Sequence, residues 1–108
     1  MSNVCRVTPT ASRDIESIMD YLAEDSNLEM AEGFLQRIDA KFKLLSQFPQ
    51  IGRKRDELYP GLRTISLDNY LIFYRLVPKG VEVVRVISGY RDLTDLFVDD
   101  ENSPEDFG

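Results

Sequence analysis

The stretch DNYLIFYRLVPKGVEVVRVI, residues 68–87, contains the strongest structural signal in this chain. Residues 70–76 are apolar or aromatic on both sides of an extended backbone, except at Arg75, and this pattern predicts a central strand. Residues 81–87 are the most β-branched part of the sequence and predict a neighbouring strand. The Pro-Lys-Gly sequence at 78–80 supplies a turn between the two. The stretch therefore predicts a β-hairpin.

Two further strands are predicted outside this hairpin. Residues 62–67 alternate imperfectly between apolar and polar. The Asp68-Asn69 pair that follows them can form a two-residue turn, because both residue types tolerate positive φ. Residues 3–7 predict a short first strand near the start of the chain.

Two amphipathic helices are predicted between the first strand and the others. Thr8-Pro9 has the chemistry of a helix start, and apolar residues recur on one helical face through residues 11–23. Residues 26–29 have capping-box spacing and predict the start of a second helix, with an apolar face over 28–45 and an end before Pro49. The short connection between the helices predicts an antiparallel hairpin.

The predicted fold is therefore α+β with the order β-α-α-β-β-β. In this fold the helical hairpin packs on one face of an antiparallel sheet, and the other face is partly open. We expect residues 1–98 to form a single domain and the acidic residues 99–108 to form a disordered tail.

Charge is distributed unevenly along the chain. The formal net charge is −6, but residues 99–108 hold five acidic side chains and no basic one, whereas residues 48–98 hold eight basic and six acidic ones. The negative net charge of the whole chain therefore does not exclude an acidic or polyanionic partner.

Composition also narrows the cellular setting and the chemistry. Cys5 is the only cysteine, no apolar run approaches the roughly 18 residues of a membrane span, and no secretory leader is apparent, so we expect a cytoplasmic protein. Only the acidic residues at 99–108 cluster as metal ligands would, and glycine-rich phosphate loops are lacking. We therefore expect neither a metal nor a cofactor.

A basic loop, FPQIGRKRDELYPGLR at residues 48–63, follows the second helix. Such a loop can bind an acidic partner, or its cations can simply pair with Asp56 and Glu57. Arginines inside the predicted strands can likewise form a basic stripe with the loop or pair across strands with Glu82 or Asp92. The candidate residues for binding such a partner are Arg53, Lys54, Arg55, Arg63, Arg75, Arg85 and Arg91.

The sequence resembles the ParE branch of the RelE/ParE toxin superfamily over roughly residues 4–97. The motifs that support this resemblance are Phe48-Pro49, Gly52-Arg53, Gly61-Leu62-Arg63, the run at 70–75, and Gly89 with Arg91-Asp92-Leu93. One departure is the segment Ser-Gly-Tyr-Arg-Asp at residues 88–92, where many relatives have His-Gly-Ala-Arg-Asp.

The resemblance implies a fold that agrees with the predicted one. It also implies the toxin of a type II toxin–antitoxin system, with DNA gyrase as its target. The expected partner is a small cognate antitoxin of the ribbon-helix-helix type.

Two alternatives remain open from the sequence. The first is a RelE-like endoribonuclease that cuts messenger RNA on the ribosome, with Tyr90, Arg91, Arg63, Lys54 and Arg53 around the scissile phosphate. Because the chain has no histidine, a tyrosine or lysine with a shifted pKa would have to transfer the proton, with Tyr90 as the first candidate, and this disfavours catalysis without excluding it. The second alternative is an inactive relative that only binds a partner.

Overall fold

The computed structural model describes residues 4–89 of the protein. Its elements, in chain order, are β1 (Val4–Val7), α1 (Pro9–Asp25), α2 (Leu28–Gln47), β2 (Arg53–Lys54), β3 (Leu62–Leu67), β4 (Tyr70–Val77) and β5 (Gly80–Ser88). The predicted α+β order is confirmed, with β2 as an additional two-residue strand inside the basic loop. The predicted domain boundary at residue 98 and the acidic tail lie outside the described residues.

The strands form one five-stranded sheet in the order β1-β5-β4-β3-β2. The pairs β3–β4 and β4–β5 are antiparallel, as predicted, and the additional strand β2 is antiparallel to β3. β1 instead lies parallel to β5, with Val4 opposite Gly80, so the sheet is mixed rather than antiparallel throughout. Two strands joined by a tight turn must be antiparallel. Because β1 and β5 are joined through all the other elements, they are free to pair in parallel.

The helix ends are fixed by side-chain caps. The Ala11 N–H donates to Thr8 Oγ1 at 3.1 Å, so α1 begins where Thr8-Pro9 predicts. The second helix begins one residue later than its capping-box pattern implies. Asn27 caps it by accepting from the Met30 N–H at 2.8 Å, because Ser26 already ends α1 by donating its N–H to the carbonyl oxygen of Leu22.

The main core lies between the helices and one face of the sheet. Phe34 of α2 is completely buried there and meets the ring of Tyr70 edge to face, with ring centroids 5.4 Å apart. The buried residues of this core are Ala11, Phe34, Ile38, Leu45, Leu67, Ile72, Tyr74, Val81, Val83 and Val86.

A second, smaller cluster lies on the opposite face of the sheet. Phe73 projects to this face because side chains alternate along β4, and it is completely buried. Leu58, from the loop between β2 and β3, packs into the same cluster with Leu62 and Ile87. The face away from the helices is therefore less open than the sequence suggests.

Candidate protein-binding surface

Residues 48–52 connect α2 to β2, and Tyr74 anchors this irregular segment to the core. The Tyr74 hydroxyl accepts a hydrogen bond from the Gly52 N–H at 2.8 Å and donates one to the Pro49 carbonyl oxygen at 2.9 Å. Tyr74 lies in the middle of β4 with none of its surface exposed. One buried side chain thus satisfies two backbone groups that no helix or sheet ladder serves.

Arg63 holds the same segment from β3. Its Nη1 donates to the carbonyl oxygens of Gln50 at 3.0 Å and of Gly52 at 2.9 Å. Arg63 is directly opposite Tyr74 in the β3–β4 register, so its side chain leaves the sheet on the helix side. Arg63 therefore binds the backbone of its own chain.

Gly52 fits this arrangement because it has no side chain. A Cβ at this position would lie 2.6 Å from Tyr74 Cε1 and 2.9 Å from the Thr64 carbonyl oxygen, closer than real Cβ contacts. The close approach of backbone and ring allows the Gly52 N–H to reach the Tyr74 hydroxyl. Residues 49–52 therefore have a defined conformation that larger residues at position 52 would disturb.

Burial raises the pKa of the Tyr74 hydroxyl above its usual value of 10.0 and outweighs two opposing effects, the Gly52 hydrogen bond and the positive charge of Arg63. The phenol therefore stays protonated at neutral pH. A protonated hydroxyl is also what the hydrogen bond to Pro49 requires.

Arg53 and Lys54 follow the anchored segment and are exposed on β2. Within residues 4–89 neither forms an ion pair. Arg53 is opposite Thr64 and Lys54 is opposite Arg63, so their side chains leave the short strand on opposite faces. These two cations are available to a partner.

Arg55, in contrast, is already paired. Its Nε lies 2.6 Å from Glu57 Oε2, and this hydrogen bond is the main cause of the lowered pKa of Glu57. The alternative of pairing within the loop is therefore correct for Arg55. Asp56 accepts the Gly61 N–H at 2.8 Å and braces the far end of the loop.

The arginines of β4 and β5 also have carboxylate partners. Arg75 Nη2 lies 2.7 Å from Glu82 Oε1, across the β4–β5 pair. Arg85 Nε lies 2.7 Å from Oδ2 of Asp14 in α1, and the same oxygen accepts the Val86 N–H at 2.9 Å. Cross-strand pairing with Glu82 is thus confirmed for Arg75, whereas Arg85 uses a helix residue that the sequence did not suggest.

The candidate cations of residues 53–85 do not all lie on one face of the sheet, so they do not form the single basic stripe that was one of the two alternatives from the sequence. Lys54 and Arg63 lie on the helix side, because their register partners do. Arg75 is opposite Leu62, which places it on the other face. Arg85 lies at the irregularity in the β4–β5 register, and its guanidinium reaches Asp14 of α1. The binding roles of these residues stay predictions. Tyr90, Arg91 and Asp92 lie outside the described residues.

Two apolar residues of the surface were missed from the sequence. Phe48 is 56% exposed and Ile51 is 52% exposed. The Ile51 N–H donates to the Phe48 carbonyl oxygen at 3.1 Å, and both side chains line a concavity of about 460 Å³. The sequence did contain a signal for this surface. Two large apolar residues lie in a loop with proline and glycine, directly before a run of cations. We call Phe48, Ile51, Arg53 and Lys54 the 48–54 surface.

Other kinds of site find little support in residues 4–89. No group of three or more metal-ligating side chains occurs within that range. No helix among the described elements is long and apolar enough to cross a bilayer.

Comparison with solved structures identifies the architecture. The fold matches a structure titled "Chromosomal ParDE TA system from P. aeruginosa" with a TM-score of 0.70 and 25% sequence identity, covering 80% of this chain and 95% of that one. A helical hairpin packed on one face of a mixed sheet is thus shared with a chain of a toxin–antitoxin system.

The family follows from the sequence matches. The family described as "ParE toxin of type II toxin-antitoxin system, parDE" matches residues 5–93. This chain therefore belongs to the ParE toxins of type II toxin–antitoxin systems, and the resemblance seen in the sequence is confirmed.

Two curated relatives show the extent of the likeness. Toxin ParE3 of Caulobacter vibrioides is 36% identical over 93 residues, which cover 86% of this chain and 92% of that protein. Toxin ParE1 of Mycobacterium tuberculosis is 31% identical over 94 residues, which cover 86% of this chain and 96% of the relative.

Proposed function

We propose that this ParE toxin acts in the cytoplasm by binding DNA gyrase, and that a cognate ribbon-helix-helix antitoxin neutralises it. Membership of the ParE family supports a toxin, and the likeness to a chain of the ParDE system supports an antitoxin partner. The exposed cations Arg53 and Lys54, held on an anchored loop, support action through contact with another protein.

The observation that most favours binding over RNA cleavage is the engagement of Arg63. The ribonuclease alternative requires this guanidinium at the scissile phosphate. Its Nη1 instead donates to the carbonyl oxygens of Gln50 and Gly52, so the guanidinium is held against the backbone of its own loop and a shift toward a phosphate would break both hydrogen bonds.

Residues 4–89 also offer no obvious side chain for proton transfer near neutral pH. The sequence has no histidine, and the tyrosine beside Arg63 is the buried Tyr74, which remains protonated and donates to Pro49. General base catalysis needs a group whose pKa lies near the working pH. In the ribonuclease alternative this task is left to Tyr90 or Lys54.

Purified gyrase tests the proposal directly. The full chain, added to gyrase and relaxed plasmid, should block supercoiling or accumulate cleaved DNA, and its induction in cells should arrest growth with a DNA-damage response. We expect the antitoxin to be encoded by the gene adjacent to that of this chain, and co-production of that gene's product should relieve the arrest. Truncated messages on ribosomes with gyrase unaffected would support the ribonuclease instead, especially if Tyr90→Phe abolished the effect.

A further inference from the structure

We propose that the 48–54 surface is a preorganised docking site for a linear protein segment that presents an apolar side chain next to one or more carboxylates. The proposal rests on the proposed function in one respect: the segment is assigned to the antitoxin. Four side chains define the surface, two of them apolar and half-exposed, and two of them cations without an ion pair in residues 4–89.

The apolar half of the surface is a shallow, open concavity. Phe48 and Ile51 are brought together by the turn between them and line this concavity, where an apolar side chain of a partner could cover both. Exposed Phe and Ile side chains gain from being covered, at about 25 cal/mol for each Å² removed from water. An apolar residue of the partner is therefore expected in this concavity.

Arg53 and Lys54 form the charged half of the surface, and they determine which groups of the partner must lie beside its apolar residue. Arg55 and Glu57 neutralise each other, whereas Arg53 and Lys54 have no such partner among the described residues. Lys54 is three residues from Ile51, so their Cα atoms are at most about 10 Å apart. A carboxylate one to four residues along the partner segment can therefore reach Lys54 while its apolar side chain occupies the concavity. Because Arg53 leaves β2 on the opposite face, a carboxylate on the other side of an extended segment would be needed to reach it.

The backbone of β2 favours an extended segment. The Arg55 N–H donates to the Leu62 carbonyl oxygen at 2.8 Å, and polar groups alternate along an antiparallel edge. The N–H and C=O of Lys54 therefore point away from β3, at the free edge of the sheet. A partner strand could add there with one or two hydrogen bonds, so the side chains supply most of the specificity.

The surface is held in place before binding. Tyr74 and Arg63 fix the backbone of residues 49–52 through four hydrogen bonds, which reduces the ordering cost that a free loop would impose on association. Tyr74 and Arg63 are thus positioning residues for this surface.

Affinity measurements on the full chain with the purified product of the adjacent gene test the proposal. We expect Arg53→Glu/Lys54→Glu and, separately, Phe48→Ser/Ile51→Ser to weaken the complex at least tenfold. The matched controls are Lys43→Glu/Lys79→Glu, which reverse two exposed lysines, and Leu28→Ser/Leu35→Ser, which remove two exposed apolar residues of α2. Both controls should stay within about twofold of the wild type. Circular dichroism verifies that each variant is folded.

Zero-length cross-linking with a carbodiimide provides a second readout. The chain has four lysines, Lys41, Lys43, Lys54 and Lys79, and an amide between Lys54 and an antitoxin carboxylate should dominate. Cross-links spread evenly over the four lysines, or a Lys54 link to carboxylates of the toxin's own residues 99–106, would overturn the proposal.

The outcomes separate the two levels of inference. If the wild-type chain forms no complex with the adjacent product, the proposed antitoxin is refuted. If the complex forms and all four variants bind equally well, the surface is wrong while the proposed function stands. Loss of gyrase inhibition with unchanged antitoxin affinity would assign the surface to the target instead and would also overturn the proposal.

Discussion

The Tyr74 hydroxyl donates to the carbonyl oxygen of Pro49 at 2.9 Å and so joins the centre of the sheet to the first residues after α2. The Tyr74 hydroxyl oxygen also accepts a hydrogen bond from the Gly52 N–H. A strand residue normally treated as core filling therefore also determines the shape of a surface loop.

Replacing Tyr74 by phenylalanine should destabilise the protein by about 1–3 kcal/mol, because a buried N–H and a carbonyl oxygen would lose their common partner. Urea unfolding followed by circular dichroism measures this change. Tyr59→Phe is the control: Tyr59 is 44% exposed, and the structure shows no hydrogen bond from its hydroxyl to residues 4–89, so its loss should change the free energy of unfolding by less than about 0.5 kcal/mol. Equal stabilities of the two variants would contradict the anchoring role of Tyr74.

Glycine-to-alanine substitutions at positions 52 and 33 should have opposite signs. Gly52→Ala introduces a Cβ against Tyr74 and the Thr64 backbone, and overpacking of this kind costs about 1–3 kcal/mol. Gly33→Ala lies inside α2, where alanine is favoured by up to about 1 kcal/mol and the near neighbour is the movable guanidinium of Arg37 at 3.1 Å. Thermal denaturation should show a lower Tm for the first variant and a higher Tm for the second. A neutral Gly52→Ala would mean that residues 49–52 adapt freely.

The Asp14–Arg85 pair should matter more than the other ion pairs. Its side chains are only 15% and 17% exposed, and Asp14 also accepts the Val86 N–H. Asp14→Ala should cost about 3 kcal/mol, because it leaves a largely buried guanidinium and a strand N–H without partners. Asp14→Asn should cost less, since the amide oxygen can still accept. The control is Arg6→Ala: Arg6 is 3.9 Å from Glu82 and largely exposed, so its removal should cost under 1 kcal/mol in the same chemical denaturation experiment.

The thiol of Cys5 should react slowly in the folded protein. Burial raises its pKa from 9.0 to about 11, so the folded state retains the proton after the unfolded chain has lost it. The resulting contribution to stability is fully present below pH 9 and is lost as the pH rises through about 11. Alkylation by iodoacetamide should accelerate near pH 11 in the native protein but near pH 9 in urea. Coincident pH profiles would show that the native thiol is not shielded.

The elements of the fold were predictable because their signals are local. Helices and strands can be recognised from residues only a few positions apart. Examples are the spacing of apolar residues in α1 and α2 and the β-branched run of β5. The parallel pairing of β1 with β5 was missed, since it depends on residues 76 positions apart.

The arrangement of the candidate site was less predictable, for a physical reason that β3 illustrates. Period-two alternation shows which residues share a face but not which face meets the helices, and both faces of β3 bear apolar residues, Leu62 on one and Ile65 on the other. The side of Arg63 was therefore undetermined until its register with Tyr74 was known. The carboxylate that pairs with Arg85 could not be chosen from the sequence either, because Asp14 is one of several acidic residues on α1.

The parallel pairing of β1 with β5 also determines how early the chain can fold while it is being synthesised. Val4 leaves the ribosome early, but its partner Gly80 is added 76 residues later, and the Asp14–Arg85 link needs residues of the same late strand. Until β5 has been made, β1 has no strand to pair with and α1 lacks its anchor. The sheet can therefore be completed only after β5 has been synthesised, when β1 and α1 have long left the ribosome without their partners.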